Sequence, residues 1–282
     1  QNLHDMPPPQ HIYLNGVLLD GRQETLSAQR LLQDNYVHAA VNTSAHSPLY
    51  LEKHLAYAAE SYRKLYGTVP QFDTMQLREG IEALLDADRM PRLGNIVRIY
   101  LLPSQRSGDA VPDLLAMADH STIYRGYELI SIRPKAILTN YEIPFCGHRT
   151  AVSLTTSRYM QAFAERTGCH VALHCNRAER LISCGEYPVF LARDGALFTP
   201  PAETFPACTE RDLMFRACSL AGIPITERNI AASEIPGADE LMVFNHTGLQ
   251  SLLSLGNYYF YNLLALRIEK VLRTITEEGL QA

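Results

Sequence analysis

The stretch Arg193-Asp194-Gly195-Ala196-Leu197-Phe198-Thr199-Pro200-Pro201 decides how the second half of the chain is read. Asp-Gly is hairpin chemistry, because a two-residue turn needs positive φ at its centre. With Val189–Ala192 before it and Ala196–Thr199 after it, the stretch predicts two antiparallel strands. Pro200 and Pro201 end the second strand, since proline cannot donate to a ladder. Cys208-Thr209-Glu210-Arg211 then opens a helix running to about Ala221, stopped by Gly222. Further outward, Val171–Leu173, Leu181-Ile182, Ile225–Asn229 and Glu240–Phe244 read as strands. Thr156–Thr167, ended by Gly168, reads as a helix, and Tyr258–Ile275 as a closing helix with an aromatic start, Tyr258 to Tyr261.

The first half alternates in the same way. His11–Leu19 reads as two short strands about an Asn15-Gly16 turn, and Gln23–Asn35 as partly helical. Val37–Val41 and Ile96–Leu102 read as strands, and Ser47-Pro48 as a break. Leu51–Tyr66 has apolar residues at helical spacing and stops at Gly67; Thr74–Asp86 is a second amphipathic helix with Thr74 as its cap. Ser104–Pro112 reads as a polar loop, with Asp109, Asp113 and Asp119 on a solvated surface; Tyr127–Ile132 and Ala136–Leu138 read as strands about Arg133-Pro134. Strands interleave with helices without a long regular βαβ rhythm, so the class is α+β. The division is a polar tail 1–10, a smaller domain 11–139, a Pro/Gly-bearing linker 140–148 and a larger domain 149–282.

Composition excludes some functions. Of 282 residues, 25 are Lys or Arg and 30 Asp or Glu, a net charge of −5 that gives no basic excess for nucleic acid. No apolar run approaches the ~20 residues of a membrane helix, and 1–10 does not read as a signal peptide. Six cysteines without C-x-x-C spacing read as reduced thiols of a cytoplasmic protein. Lysine is scarce: Lys53, Lys64, Lys135 and Lys270 stand against 21 arginines, and none lies between 135 and 270. No G-x-G-x-x-G, P-loop, H-E-x-x-H, G-x-S-x-G or zinc-type spacing is present, and no metal site is expected.

The order of segments resembles the class IV (fold-type IV) aminotransferases, which include branched-chain and D-amino-acid aminotransferases and aminodeoxychorismate lyase. Tyr13-Leu14-Asn15-Gly16, Leu51-Glu52-Lys53-His54-Leu55, Gly195 to Pro201, Thr209-Glu210-Arg211-Asp212 and Asp239 to Asn245 each resemble a family segment, in the family's order. The resemblance spans about 11–275. It implies the two-domain D-amino-acid-aminotransferase-like fold, a homodimer, and pyridoxal phosphate (PLP) held in the cleft between domains.

The resemblance also assigns positions. Counting forward from Lys135-Ala136 and back from Gly168-Cys169 puts the family's Schiff-base lysine at Thr150, at the end of the larger domain's first strand, facing the cleft. A threonine cannot form an imine. The pyridine-nitrogen glutamate position is Ser183; strand alternation sends Glu186 to the opposite face. The phosphate arginine position is Tyr57, and the other phosphate-cup positions are Thr209, Glu210, His246 and Thr247. The family's Phe-Glu or Tyr-Glu near the substrate reads Val37-His38, and His148 and Arg149 are placed to meet a carboxylate-bearing ligand. No covalently bound PLP is expected, nor its retention.

Three readings follow. The first is a pseudoenzyme: the fold kept as a homodimeric scaffold or binder of a small anionic or amino-acid-like molecule. The second is a transferase or lyase with lysine-independent chemistry, using Cys146, His148 or Cys184 near the cleft. The third is non-covalent PLP on the helix N-terminus at Thr209, where main-chain N–H groups favour anions.

Overall fold

The computed structural model describes residues 11–22, 25–103, 111–124 and 126–279. The chain clusters into two compact units, 1–125 with 149–151, and 126–148 with 152–282.

The first unit runs β1 (His11–Leu14), β2 (Val17–Asp20), α1 (Thr25–Gln33), β3 (Val37–Ser44), β4 (Ser47–Pro48), α2 (Leu51–Tyr66), α3 (Thr74–Ala87), β5 (Gly94–Leu102) and β6 (Asp113–Tyr124). Its sheet has the order β2-β1-β6-β5-β3-β4, all pairs antiparallel. Alternation sends Val37, Val41, Val97, Ile99, Leu101 and Ala116 to one face, where they meet Leu51, Leu55 and Tyr62 of α2 and Leu77, Ile81 and Leu85 of α3. Gly80 lets α3 lie against β1: a Cβ there would sit 2.2 Å from the Tyr13 ring. The opposite face carries His38, Arg98 and Tyr100, with His38 directly across from Tyr100 in the register.

The second unit runs β7 (Lys135–Asn140), α4 (Ala151–Arg166), β8 (Val171–Cys175), β9 (Arg180–Cys184), β10 (Val189–Arg193), β11 (Ala196–Thr199), α5 (Thr209–Ala221), β12 (Ile225–Glu227), β13 (Ile230–Ala231), β14 (Glu240–Asn245), β15 (Gly248–Ser251), β16 (Ser254–Leu255), β17 (Tyr258–Tyr259) and α6 (Leu263–Gly279). Two sheets, β12-β11-β10-β14-β15 and β13-β9-β8-β7-β16-β17, share one core of Leu173, Leu181, Val189, Leu191, Leu241 and Val243. The buried Glu240 carboxylate accepts from the Leu264 and Ala265 amides (2.6 and 3.0 Å), fixing the start of α6.

The α+β class stands, and so do the hairpins at Asn15-Gly16 and Asp194-Gly195 and the helix Leu51–Tyr66. Other expectations change. The unit boundary falls at 125/126 rather than at 140–148, because β7 pairs with β8 and β16 of the second unit. Residues 149–151 cluster with the first unit because they bond β3. The segment 113–124 is a long strand, not a solvated loop: Asp113 is paired with Arg30 (2.6 Å) and Asp119 with Arg98 (2.7 Å). Tyr127–Ile132 forms no strand, only a single bridge from Leu129 to Leu249. Asp73, not Thr74, caps α3, accepting from the Gln76 amide at 2.9 Å. Helix α4 begins five residues early, and Ser47-Pro48 pairs as a two-residue strand. Tyr258-Tyr259 is an edge strand, so the last helix starts at Leu263. The tail 1–10, Asp109 and most of the 104–112 loop lie outside the described residues.

Candidate functional site

In the first unit, Thr150 is fully buried and bridges Val37 at the start of β3. The His38 amide donates to the Arg149 carbonyl (3.1 Å), and the Ala151 amide to the Tyr36 carbonyl (3.0 Å). These bonds set Thr150 just before α4 rather than at the end of a strand of the larger unit, and they bring it beside His38 and Arg149. Arg149 is buried. His38 belongs to an aromatic trio: Tyr36 and Tyr100 meet edge to face at 5.2 Å, and the His38 ring lies 6.2 and 6.5 Å from them. Arg98, two residues before Tyr100 on the same face of β5, is held by Asp119. Tyr36, Arg98 and Tyr100 escaped the sequence reading, although the period-two pattern of 96–102 puts Arg98 and Tyr100 on one face.

Tyr57 is half-buried on α2. One turn earlier, His54 is buried, and its Nε2 has no hydrogen-bond partner among the described residues. Burial first, and then the charges of Arg149 and Lys53, push its pKa down to about 3, so this imidazole is neutral near neutral pH.

In the second unit, Ser183 is buried on β9, opposite His174 of β8, and donates to the Gly185 carbonyl at 2.8 Å. Glu186 does not point to the opposite face: Ser183 and Glu186 line one tightly filled pocket, together with Cys146, Ser153 and His174. The reason is Gly185, at φ +60°, which turns the chain after β9 and ends the alternation. The Ser153 hydroxyl donates to the Glu186 carboxylate at 2.5 Å. His174 stacks on Tyr141 at 4.2 Å and bonds its carbonyl through Nε2 at 2.7 Å; burial lowers its pKa. Glu186, Ser153 and His174 are additions to the site that one-dimensional reading did not supply.

Thr209 and Glu210 are the first two residues of α5, both buried, and the Thr209 hydroxyl has no hydrogen-bond partner among the described residues. Glu210 and Asp212 put two acidic residues in the first turn of α5, where the helix dipole favours negative charge. His246 and Thr247 form the β14–β15 turn. His246 Nδ1 is bonded to the Tyr187 hydroxyl. The Thr247 amide and hydroxyl are both committed to Asn245 Oδ1 (2.8 and 2.6 Å). His148, partly exposed, closes a turn through its amide onto the Phe145 carbonyl (2.9 Å). Among the described residues no group of three or more His, Cys, Asp and Glu is arranged to hold a metal, and no helix is long and apolar enough to cross a membrane.

A family model described as amino-transferase class IV matches residues 40–251 of the 282. The chain belongs to the class IV aminotransferases. Solved structures carry the same fold. The branched-chain aminotransferase of Thermoproteus uzoniensis with norvaline superposes with a TM-score of 0.81 at 15% identity, covering 96% of each chain. The Escherichia coli branched-chain amino acid aminotransferase gives 0.79 at 14%, covering 95% of each. A hypothetical aminotransferase from Mycobacterium tuberculosis in its PLP-bound form gives 0.79 at 14%, covering 95% of this chain and 99% of that one. A search of curated proteins by sequence finds no match. At such identities the likeness shows the class IV fold; the side chains decide the chemistry.

Proposed function

We propose that this class IV chain does not form the family's Schiff base and instead holds a small anionic or amino-acid-like ligand, as a cytoplasmic homodimer. One observation carries the reading: Lys53, Lys64, Lys135 and Lys270 are all exposed, and residues 136–269 contain no other lysine. An internal imine needs an amine held in the pocket, and no other side chain supplies one.

The remaining groups do not fit PLP either. The Ser183 hydroxyl is already donating to Gly185 and carries no charge to hold a pyridinium proton. The buried Glu210 carboxylate stands at the helix N-terminus where a phosphate would sit, and like charges repel. The Thr247 hydroxyl is spent on Asn245. These observations count against non-covalent PLP as well. Arg149, Arg98 and His38 on the first unit are the groups proposed to meet a carboxylate-bearing ligand.

The homodimer is supported by exposed apolar side chains at β17 and the start of α6: Tyr259, Tyr261 and Leu263 are 71%, 69% and 70% exposed. Six cysteines, none in a disulfide and three of them buried, suit a reducing compartment. A second reading, lysine-independent catalysis, rests only on Cys146 and His174 lining the same tight pocket.

The absorption spectrum of the protein as purified tests the main reading. A colourless protein agrees with it; a yellow aldimine band refutes it.

A further inference from the structure

The first unit holds a cleft that none of the candidate site residues lines. It lies between the Asn15-Gly16 turn, the N-terminal end of α3 and the start of β6. Its volume is about 370 Å3, inside the range of roughly 300 to 1,000 Å3 that small-molecule sites occupy. Tyr13, Phe72, Leu77, Pro112 and Leu114 make its apolar walls. Its charged lining is acidic, Asp73 and Asp113, and among the described residues no lysine, arginine or histidine lines it. Asp113 is already engaged: its two oxygens accept from Asn15 (2.7 Å) and Arg30 (2.6 Å). Asp73 keeps an oxygen in hand. Its Oδ1 accepts the Gln76 amide (2.9 Å) as the cap of α3, and its Oδ2 bonds to no described residue. The side-chain amides of Gln71 and Gln76 likewise bond to no described residue, so each has a carbonyl oxygen left to accept. The local field is negative: burial first, and then the charges of Asp73 and Glu79, raise the pKa of the Tyr13 hydroxyl.

An anion is disfavoured in this cleft, because the end of α3 already has its own carboxylate in Asp73. We infer that the cleft binds a planar organic cation, an amidinium or guanidinium on an apolar body. Asp73 Oδ2 is its counter-charge, the Gln71 and Gln76 carbonyl oxygens are further acceptors, and Tyr13, Phe72 and Leu77 meet the body. A planar head suits these groups better than a compact ammonium. Its N–H donors fan out in one plane toward several acceptors, and its weakly hydrated face packs on an aromatic ring. Phe72, only half-buried, offers such a ring. Every residue of the cleft belongs to the first unit and none stands at a PLP position of the family, so its ligand and the loss of Schiff-base chemistry are independent.

The test uses the full-length protein and three probes, benzamidinium, benzamide and benzoate, which share a ring and a planar head and differ in the head's charge. Ligand-observed NMR gives the affinities, and 1H–15N spectra of the protein locate the site. Benzamidinium should bind about tenfold more tightly than benzamide, and benzoate should bind most weakly. Benzamidinium should shift the main-chain amides of Gly16, Gln76 and Leu114. Asp73→Asn removes the charge and keeps a side chain that ranks with aspartate as a helix cap, so α3 is retained. It should weaken benzamidinium about three- to tenfold, the worth of a charge-assisted hydrogen bond at an open site, and leave benzamide unchanged. Gln71→Lys, at an exposed position, should weaken benzamidinium by a similar factor through like charge. Equal binding of the three probes, shifts confined to other amides, or an unchanged benzamidinium affinity in both variants would overturn the inference.

Discussion

Acidification should destabilise the protein through His54, and the size of the effect follows from its burial. The imidazole is buried on α2, beside the charges of Arg149 and Lys53, and its pKa in the folded protein is about 3. In the unfolded chain a histidine titrates near ~6.5. Above that value both states are neutral and the group contributes no pH dependence. As the pH falls below it, the unfolded chain takes up a proton that the folded protein refuses, so folding stability is lost. Between about pH 7 and about pH 5 the linkage integral gives a loss of about 2 kcal/mol. The lowered carboxyls Glu52 and Glu234 act elsewhere: their contributions are lost only as the pH falls below the ordinary carboxylate value of 4.5. Burial depresses His174 in the same direction, and it is present in both proteins compared. Urea melts of the wild type and His54→Leu at the two pH values isolate the effect. The wild type should lose about 2 kcal/mol more than the variant on acidification. Equal losses in both proteins would refute the reasoning, because they would mean that His54 charges as readily in the fold as out of it.

Gly185→Ala should cost about 1 to 2 kcal/mol, since an L side chain resists left-handed φ and its Cβ would lie 3.2 Å from Ser157 Oγ; a urea melt unchanged from wild type would contradict this. Burial pushes the Cys175 thiol up to about 11 and those of Cys184 and Cys218 up to about 12, so iodoacetamide at mildly alkaline pH should label Cys146 well before these three. Peptide mass spectrometry reads the order, and labelling of Cys184 at the rate of Cys146 would count against it. Thr150→Lys should restore no transamination and should lose about 1 to 3 kcal/mol by overpacking a fully buried position; an active variant would show that Ser183 and Tyr57 do not matter.

Where neighbours in sequence decide conformation, the sequence was legible. Leu51–Tyr66 carries its own period and its own stop, Gly67 at φ +77°, and the Asp194-Gly195 turn has positive φ at both residues. The strand 113–124 was not legible: its aspartates read as surface because their partners, Arg30 and Arg98, lie 83 and 21 residues away. Tyr258-Tyr259 carries an apolar signal that suits a helix or an edge strand equally; pairing with Ser254-Leu255 decides for the strand. At the site, counting assigned family positions to Thr150 and Ser183 but gave nothing of their surroundings. The counts say nothing of the bridge from Thr150 to Val37. They also miss the turn at Gly185 that brings Glu186 round to Ser153 and His174. Those are contacts between elements, and no local rule of alternation reaches across them.

The central claim is that this class IV fold works without a Schiff base. Borohydride reduction of the protein as purified, with no cofactor added, followed by intact mass measurement and peptide mapping, tests it most directly. The four exposed lysines predict an unchanged mass and no phosphopyridoxyl adduct on Lys53, Lys64, Lys135 or Lys270. One stoichiometric adduct on any of them would contradict the account.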